Sequence, residues 1–203
     1  MVGNYKDIVR EYRNKKIVGV CEDLIPLSDE YSEDIVRLRN EPRNKYCLHQ
    51  TYTVAVEDQL RWYDSYLERD NDLYWCIIDK SGGFIGTVRI YDIDPDEDIC
   101  EHGSFIIDEK AAFGPPFAVE SILLSLDFAF DVLKSGRVLN DTRDDNTVMN
   151  RINSRLGFEF YRENILNGDR YSYRYLTSDK YSANRSGFAK PVEYWSTRLS
   201  DKM

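Results

Sequence analysis

Three strand-like runs stand in succession between residues 73 and 107, each closed by a turn, and a long apolar helix follows them. Segment 73–79 (LYWCIID) ends at Lys80-Ser81-Gly82-Gly83, a composition that marks a hairpin. Segment 84–92 (FIGTVRIYD) comes next, and the acidic turn 93–98 (IDPDED) leads into 99–107 (ICEHGSFII). Residues 108–116 (DEKAAFGPP) read as a loop. Beyond them, 117–134 carries Val119, Ile122, Leu123, Leu126, Phe130 and Leu133 at helical spacing. An antiparallel meander that must bury one face beneath such a helix requires a mixed sheet with helical layers, and it argues against a purely doubly wound fold.

The flanks extend this order. Segment 5–16 predicts a short peripheral helix and 17–27 (IVGVCEDLIPL) a strand. Ser28 is placed to cap a helix over 29–40, in which Tyr31, Ile35 and Leu38 share a face. Pro42 is expected to stop that helix. A polar stretch, 43–54, leads to a second helix near 55–69. After 134 come a strand at 137–143 and a helix from Asn146 to Leu156, with Gly157 as its stop. Strands at 158–164 and 170–177 are joined by Asn167-Gly168-Asp169. The tail after 178 reads as irregular, with a strand near Val192–Trp195.

With 203 residues and 42% apolar content, the chain suits one α/β domain spanning 1–203. Residues 1–16 would be a peripheral helix and 179–203 a C-terminal extension. No run approaches the about eighteen apolar residues of a membrane span, and the polar start lacks a secretory pattern, so a cytoplasmic protein is expected. Cys21, Cys47, Cys76 and Cys100 form no C-x-x-C pair and read as free thiols. The net charge of −9 argues against nucleic acid or anionic membranes as partners. Two histidines and no cysteine pair leave little from which to build a metal site. Neither G-x-S-x-G nor a phosphate-binding glycine loop is present.

The element order over 17–178, together with Asn146-Thr-Val-Met-Asn-Arg-Ile-Asn-Ser-Arg-Leu156-Gly157-Phe158, resembles the GNAT superfamily of N-acetyltransferases. The resemblance implies an acyltransferase that takes acetyl-CoA as co-substrate. The strands 99–107 and 137–143 would splay and receive the pantetheine arm beside Phe105, Ile106 and Ile107. The pyrophosphate would sit on the helix start at Phe113-Gly114-Pro115-Pro116-Phe117-Ala118, where N–H groups and the helix dipole favour an anion. Here the sequence departs from the family pattern: Pro116 replaces a glycine, and two prolines remove two donors. Asn146 would hold the cofactor's amides while capping its helix.

The resemblance also implies catalytic positions. Glu101, at the start of the central strand, is the candidate general base. His102 is adjacent, and alternation puts the two on opposite sheet faces. Where the family often has a tyrosine acid, four residues before Gly157, this chain has Asn153. Its amide can hydrogen-bond sulfur but donates no proton at neutral pH.

For the acceptor, Arg37-Leu-Arg39-Asn40-Glu-Pro42-Arg43, His49-Gln50 and Glu57-Asp58-Gln59-Leu60-Arg61-Trp62-Tyr63 are similar to two branches of the family. One acts on nucleotide-linked amino sugars in pseudaminic-acid synthesis, the other on protein N-termini, as in ribosomal-protein modification. Arg37, Arg39, Arg43 and Lys45 would suit sugar-nucleotide phosphates and Trp62 a base, with His49 and His102 as further acceptor contacts. The acidic stretches Asp92–Asp98 and Asp141–Asp145 pull toward a cationic or peptide amine instead. The sequence leaves open whether the chain pairs as a homodimer. A rival reading is a GNAT-like module that binds or scaffolds without catalysis.

Overall fold

The computed structural model describes residues 5–48, 50–111 and 113–200, without the side chains of 199 and 200. One eight-stranded sheet organises them. Its strands are β1 (Ile17–Val18), β2 (Glu22–Pro26), β3 (Leu73–Asp79), β4 (Phe84–Asp94), β5 (Ile99–Ile107), β6 (Arg137–Arg143), β7 (Glu159–Leu166) and β8 (Asp169–Thr177). They lie in the order β1-β2-β3-β4-β5-β6-β8-β7, and every neighbouring pair is antiparallel except β5 with β6. The fold is thus a mixed α/β sheet carrying a single parallel pair.

Alternation along β3 shows how the sheet is buried. Leu73, Trp75 and Ile77 enter a core beneath α1 (Tyr5–Tyr12), α5 (Phe117–Asp127), α6 (Thr147–Leu156) and α7 (Ser178–Ser200). Tyr74, Cys76 and Ile78 enter a smaller core on the other face, beneath α2 (Ser32–Asn40) and α4 (Val56–Leu67). Helices on both faces explain why this strand reads as a continuous apolar run.

Several sequence expectations change in detail. Segment 17–27 is two strands, because the chain folds back at Gly19–Cys21: Gly19 N–H donates to Glu22 O, and the buried Glu120 carboxylate of α5 accepts from Val20 N–H and Cys21 N–H. Ser28 does not cap a helix. Its hydroxyl donates to Glu30, a 3₁₀ turn occupies Asp29–Tyr31, and α2 starts at Ser32. Pro42 does not end helical structure either. The extended Glu41 (ψ 133°) closes α2, and Pro42 opens α3 (Pro42–Cys47) from its first position, where a missing N–H costs nothing. The helix of 117–134 is α5 followed by a π-helical turn, Phe128–Val132.

The largest correction is the tail. Residues 178–200 form α7, neither irregular nor a strand. Tyr181, Phe188, Ala189 and Val192 supply its buried stripe. Tyr181 stacks on Phe130 and its hydroxyl donates to Asp127 at 2.7 Å, while Asn184 donates to Leu156 O at the end of α6. Gly187 and Pro191 are poor helix formers that hide this stripe in the sequence; tertiary burial outweighs them.

Two outcomes are expected. Truncating the buried ring in Phe188→Ala should lower the unfolding free energy by about 3–5 kcal/mol, read by urea denaturation. Burial pushes the Glu22 carboxyl up to about 8, with Glu120 adding to the rise and the Ser121 hydroxyl holding it back. Between the ordinary carboxylate range and that value, the unfolded chain releases this proton while the folded one keeps it. Stability from this group therefore falls as pH rises through the window and levels off above it. Glu22→Gln should flatten that slope in denaturation followed from about pH 5 to about pH 9.

Candidate active site

The parallel pair stays together for three residues only. Ile99, Cys100 and Glu101 pair with Arg137, Val138 and Leu139, after which β5 pairs only with β4 and β6 only with β8. The two strands part at Glu101, and the opening runs on between residues 102–107 and 140–143. A bulge in β5 shapes one wall: Gly103 and Ile106 face Arg89 and Thr87, so β5 carries one residue more than its partner. Ser104 takes the extra turn at φ +46°, and its carbonyl accepts from Thr87 Oγ1 at 2.8 Å. The bulge shifts the alternation. Cys100 and His102 face α5 before it, Phe105 and Ile107 after it.

Two cavities border the opening and a third adjoins them. The first, about 300 Å³ and mainly apolar, lies between the end of β5, the start of α5 and the start of α6. Phe105, Ile106, Ile107, Pro115, Pro116, Phe117, Ala118 and Asn146 line it, joined by Arg43 and Met149. Phe113 and Gly114 do not; Phe113 is 91% exposed. Backbone donors are scarce at this helix start, because the prolines have none and Phe117 N–H donates to Pro115 O. Arg43 is the cation beside it, now paired with Glu109 at 2.8 Å.

The second cavity, about 160 Å³, shares Cys47, Phe105, Asn146 and Met149 with the first and sits where the strands separate. Tyr91, Asn140, Asp141 and Arg143 complete its walls. Glu101 is the cross-strand partner of Tyr91 and stands at the vertex of the opening, so the phenol and the carboxyl are neighbours. Burial raises the Glu101 carboxyl above its ordinary value, the neighbouring Tyr91 hydroxyl opposes the rise, and Asp92 and Asp141 add to it. Burial and the neighbouring Glu101 push the Tyr91 phenol up as well. Both groups are therefore better proton holders than in water. Burial likewise raises the Cys47 thiol.

The roof of this chamber is tied to its floor. Arg143 stacks on Tyr46 of α3 at 3.7 Å and is bound by Asp145 and Asp169, while Asn146 Nδ2 reaches Cys47 Sγ at 3.6 Å. Asn146 Oδ1 also accepts from Met149 N–H, so it is the helix cap the sequence suggested and spans to α3 as well.

The third cavity, about 190 Å³, opens from the second through the shared Arg39 and Ser104. Gln59, Trp62, Tyr74, Arg89 and Tyr52 surround it. Arg89 grips the buried Asp72 with two nitrogens, its Nε at 2.7 Å.

The structure redistributes the residues expected from the sequence. Asn153 is buried away from the opening, accepting from Asn140 Nδ2 and donating to Thr142 Oγ1, so it braces α6 against β6 and cannot touch a leaving sulfur. His102 borders the second cavity, but its Nε2 lies 3.0 Å from Ser125 Oγ on α5, and burial lowers it to about 4, leaving a neutral core ring. Arg37 faces none of these cavities; it binds Asp108, Asp34 and Glu41. Lys45 reaches Thr53. Trp62 lines the third cavity, yet it stacks on Tyr66, packs edge-on with Tyr74 and has the Arg69 and Arg89 guanidinium groups near its ring, so no face is open to a base. His49 lies outside the described residues. The sequence missed Tyr91, Asn140 and Arg143 because each sits in an ordinary strand pattern and gains meaning only when the strands part. Tyr91 had one legible signal: it stands two residues before the acidic turn, on the strand paired with the one carrying Glu101.

Solved acetyltransferases share this architecture. FdhC, a nucleotide-linked sugar GNAT in its apo form, superposes with a TM-score of 0.73 at 23% identity, covering 88% of this chain and 99% of that one. A GCN5-related N-acetyltransferase from Brucella melitensis gives 0.71 at 21%, covering 87% and 85%. Spermidine N-acetyltransferase from Vibrio cholerae, in complex with CoA and spermine, gives 0.71 at 18%, covering 78% and 96%. No curated protein matches the sequence at significant similarity. The model of the acetyltransferase (GNAT) domain matches residues 23–159, two-thirds of the sequence and the part that holds the parted strands, and the chain belongs to that family.

Proposed function

We propose that this protein transfers an acetyl group from acetyl-CoA to a primary amine that enters through the third cavity. The parting of β5 from β6 after Glu101 carries this reading. Backbone groups freed from a buried ladder are costly unless something replaces their partners, and an extended amide-bearing chain does so. The residues present fit such a ligand. Phe105, Ile106 and Ile107 offer the strand edge, an apolar cleft adjoins it, and the buried Asn140 Oδ1 has no partner among the described residues. Pro115, Pro116, Phe117 and Ala118 would border the pyrophosphate, with Arg43 supplying charge where the prolines withhold N–H donors. When bound, acetyl-CoA supplies the activated acyl carbon.

The chain's own residues handle the proton. Asp141 and Glu101 make the second cavity attractive to an ammonium group. Tyr91 borders that cavity and Glu101 does not, so the proton passes through the phenol: the hydroxyl oxygen accepts it from the nitrogen while giving its own to the Glu101 carboxylate. A carboxyl raised by burial is the better matched base for this exchange. No residue takes the tyrosine-acid role that Asn153 vacates. A thiol of ordinary pKa, about 8.5, leaves as thiolate without one. Tyr91, not His102 or Asn153, is the partner of Glu101 in this scheme.

Acetyl-CoA is expected to raise the melting temperature progressively with its concentration, as a ligand selective for the folded state must. Absence of any shift at millimolar concentration would overturn the reading in favour of a module without cofactor. Glu101→Gln should lower kcat about 10²–10⁴-fold with little change in acetyl-CoA affinity. It should also abolish the acid limb of the pH–rate profile, in which rate rises as the raised carboxyl ionises. Thiol release measured across pH reads both effects.

A further inference from the structure

We propose that the third cavity is an oxyanion pocket, and that the acceptor is an amine carrying a carboxylate or phosphate group which Arg39 reads while the amine lies beside Tyr91 and Asp141. The proposal rests on the acetyl-transfer reading above and names its substrate class. Three charged residues, Arg39, Asp58 and Arg89, line this space, and the structure sorts them. Arg89 is engaged through two nitrogens by buried Asp72, which also holds Arg69 at 3.1 Å, so the positive charge beside the cavity is only partly offset. Asp58 is engaged by Arg61 and by Ala55 N–H. Arg39 differs: its Nε donates to Gln50 Oε1 at 3.2 Å, and no carboxylate pairs with it among the described residues.

That single bond aims the guanidinium. Gln50 is itself held, its Nε2 donating to Asn40 Oδ1 and to Tyr52 O, so the Nε edge is fixed and the two terminal nitrogens remain for a ligand. A guanidinium held by one edge presents a planar fork suited to two oxygens of one anion. A second observation points the same way. Gln59, 95% buried by its 5% exposure, also lines the cavity, and its amide nitrogen has no partner among the described residues. Buried donors rarely stay unpaired without a ligand or water to answer them. Among the described residues, the lining of this cavity holds a guanidinium with no carboxylate partner and a buried amide nitrogen with no partner, and donors of this kind call for an anion.

Polarity then orients the acceptor. Arg39 stands where the second and third cavities meet; Asp141 and Tyr91 line only the second. An ammonium group is drawn toward the acidic side, and an oxyanion on the same molecule settles on the basic side. An amine with a second cation would set that cation against Arg39. The pocket therefore selects against polyamines, even though a spermidine acetyltransferase shares the fold.

The test compares propylamine, 3-aminopropanoate, 3-aminopropyl phosphate, 1,3-diaminopropane and a nucleotide-linked amino sugar by thiol release. It uses the full chain, its Arg39→Gln and Arg39→Lys variants, and acetyl-CoA titrated separately by calorimetry. The expected result is a kcat/KM at least about ten-fold higher for an anion-bearing amine than for propylamine or the diamine. That preference should collapse in Arg39→Gln, mainly through KM, and be partly retained in Arg39→Lys. Which anion gains most identifies carboxylate, phosphate monoester or diphosphate as its source. Acetyl-CoA binding without an Arg39-dependent preference, or with the diamine preferred, overturns the pocket alone. No acetyl-CoA binding overturns the acetyl-transfer reading, and the pocket with it.

Discussion

Three residue pairs hold β5 to β6, and the fourth pair does not form. The groups left unpaired beyond Glu101 and Leu139 lie inside the protein, where a missing hydrogen bond costs about 1–3 kcal/mol. Such an opening persists only if each strand is fixed by something else. β5 is fixed by β4 through the bulge, where Thr87 holds the Ser104 carbonyl and Gly86 lets the strands approach; a Cβ there would fall 2.1 Å from Ile106 O. β6 is fixed by a seven-residue ladder with β8 and by the Asn140–Asn153–Thr142 chain that binds it to α6. The opening is thus a consequence of two rigid half-sheets that meet at one short seam.

That view gives several polar residues a common purpose. Arg37 to Asp108 fastens α2 to the residue that follows β5. Arg143, clasped between Asp145, Asp169 and the Tyr46 ring, fastens α3 to the end of β6. Each pair links a helix of the acceptor side to one strand of the opening, so α2 and α3 bridge the gap that the sheet does not close. Exposed ion pairs contribute little to stability, yet a buried, stacked guanidinium with two carboxylates fixes geometry. Arg39, two residues beyond Arg37, has terminal nitrogens with no carboxylate partner among the described residues, and this is what sets it apart from the two fastened arginines.

Much of this was legible in the chain before any coordinates. The meander 73–107, the apolar helix after it and the Asn146-to-Gly157 helix carry their own periodicity and turn signals, which gave the order of elements along the chain, while the place of the opening came from the resemblance to the GNAT family. What failed has definite causes. The Ser104 bulge, which shifts the alternation of β5 by a residue, went unread although Gly103 inside the strand run marks it. The basic run Arg37, Arg39, Arg43 read as one cluster because sequence proximity says nothing about which carboxylates arrive from 34, 41, 108 and 109. Asn153 was assigned by position in a motif, but its partners lie on β6. The C-terminal helix was lost to Gly187 and Pro191, whose low propensity is local while the burial that overrides it is not.

The double proline turns from a defect into a trade once the cleft is seen whole. Pro115 and Pro116 remove N–H donors from the start of α5, but they also stiffen the approach to it, where Val119 and Glu120 N–H both converge on Pro116 O. The same first turn places Glu120, whose carboxylate accepts from Val20 and Cys21 and so pins β1–β2 to α5. Positive charge can be brought to a phosphate by a solvent-exposed side chain such as Arg43, which stands at the rim paired with the exposed Glu109. Helix position cannot be supplied that way. A chain that fixes α5 through backbone stiffness and carries a cation on α3 beside it keeps the cleft's shape, and under the acetyl-transfer reading proposed above anion recognition would pass from the loop to that neighbouring helix.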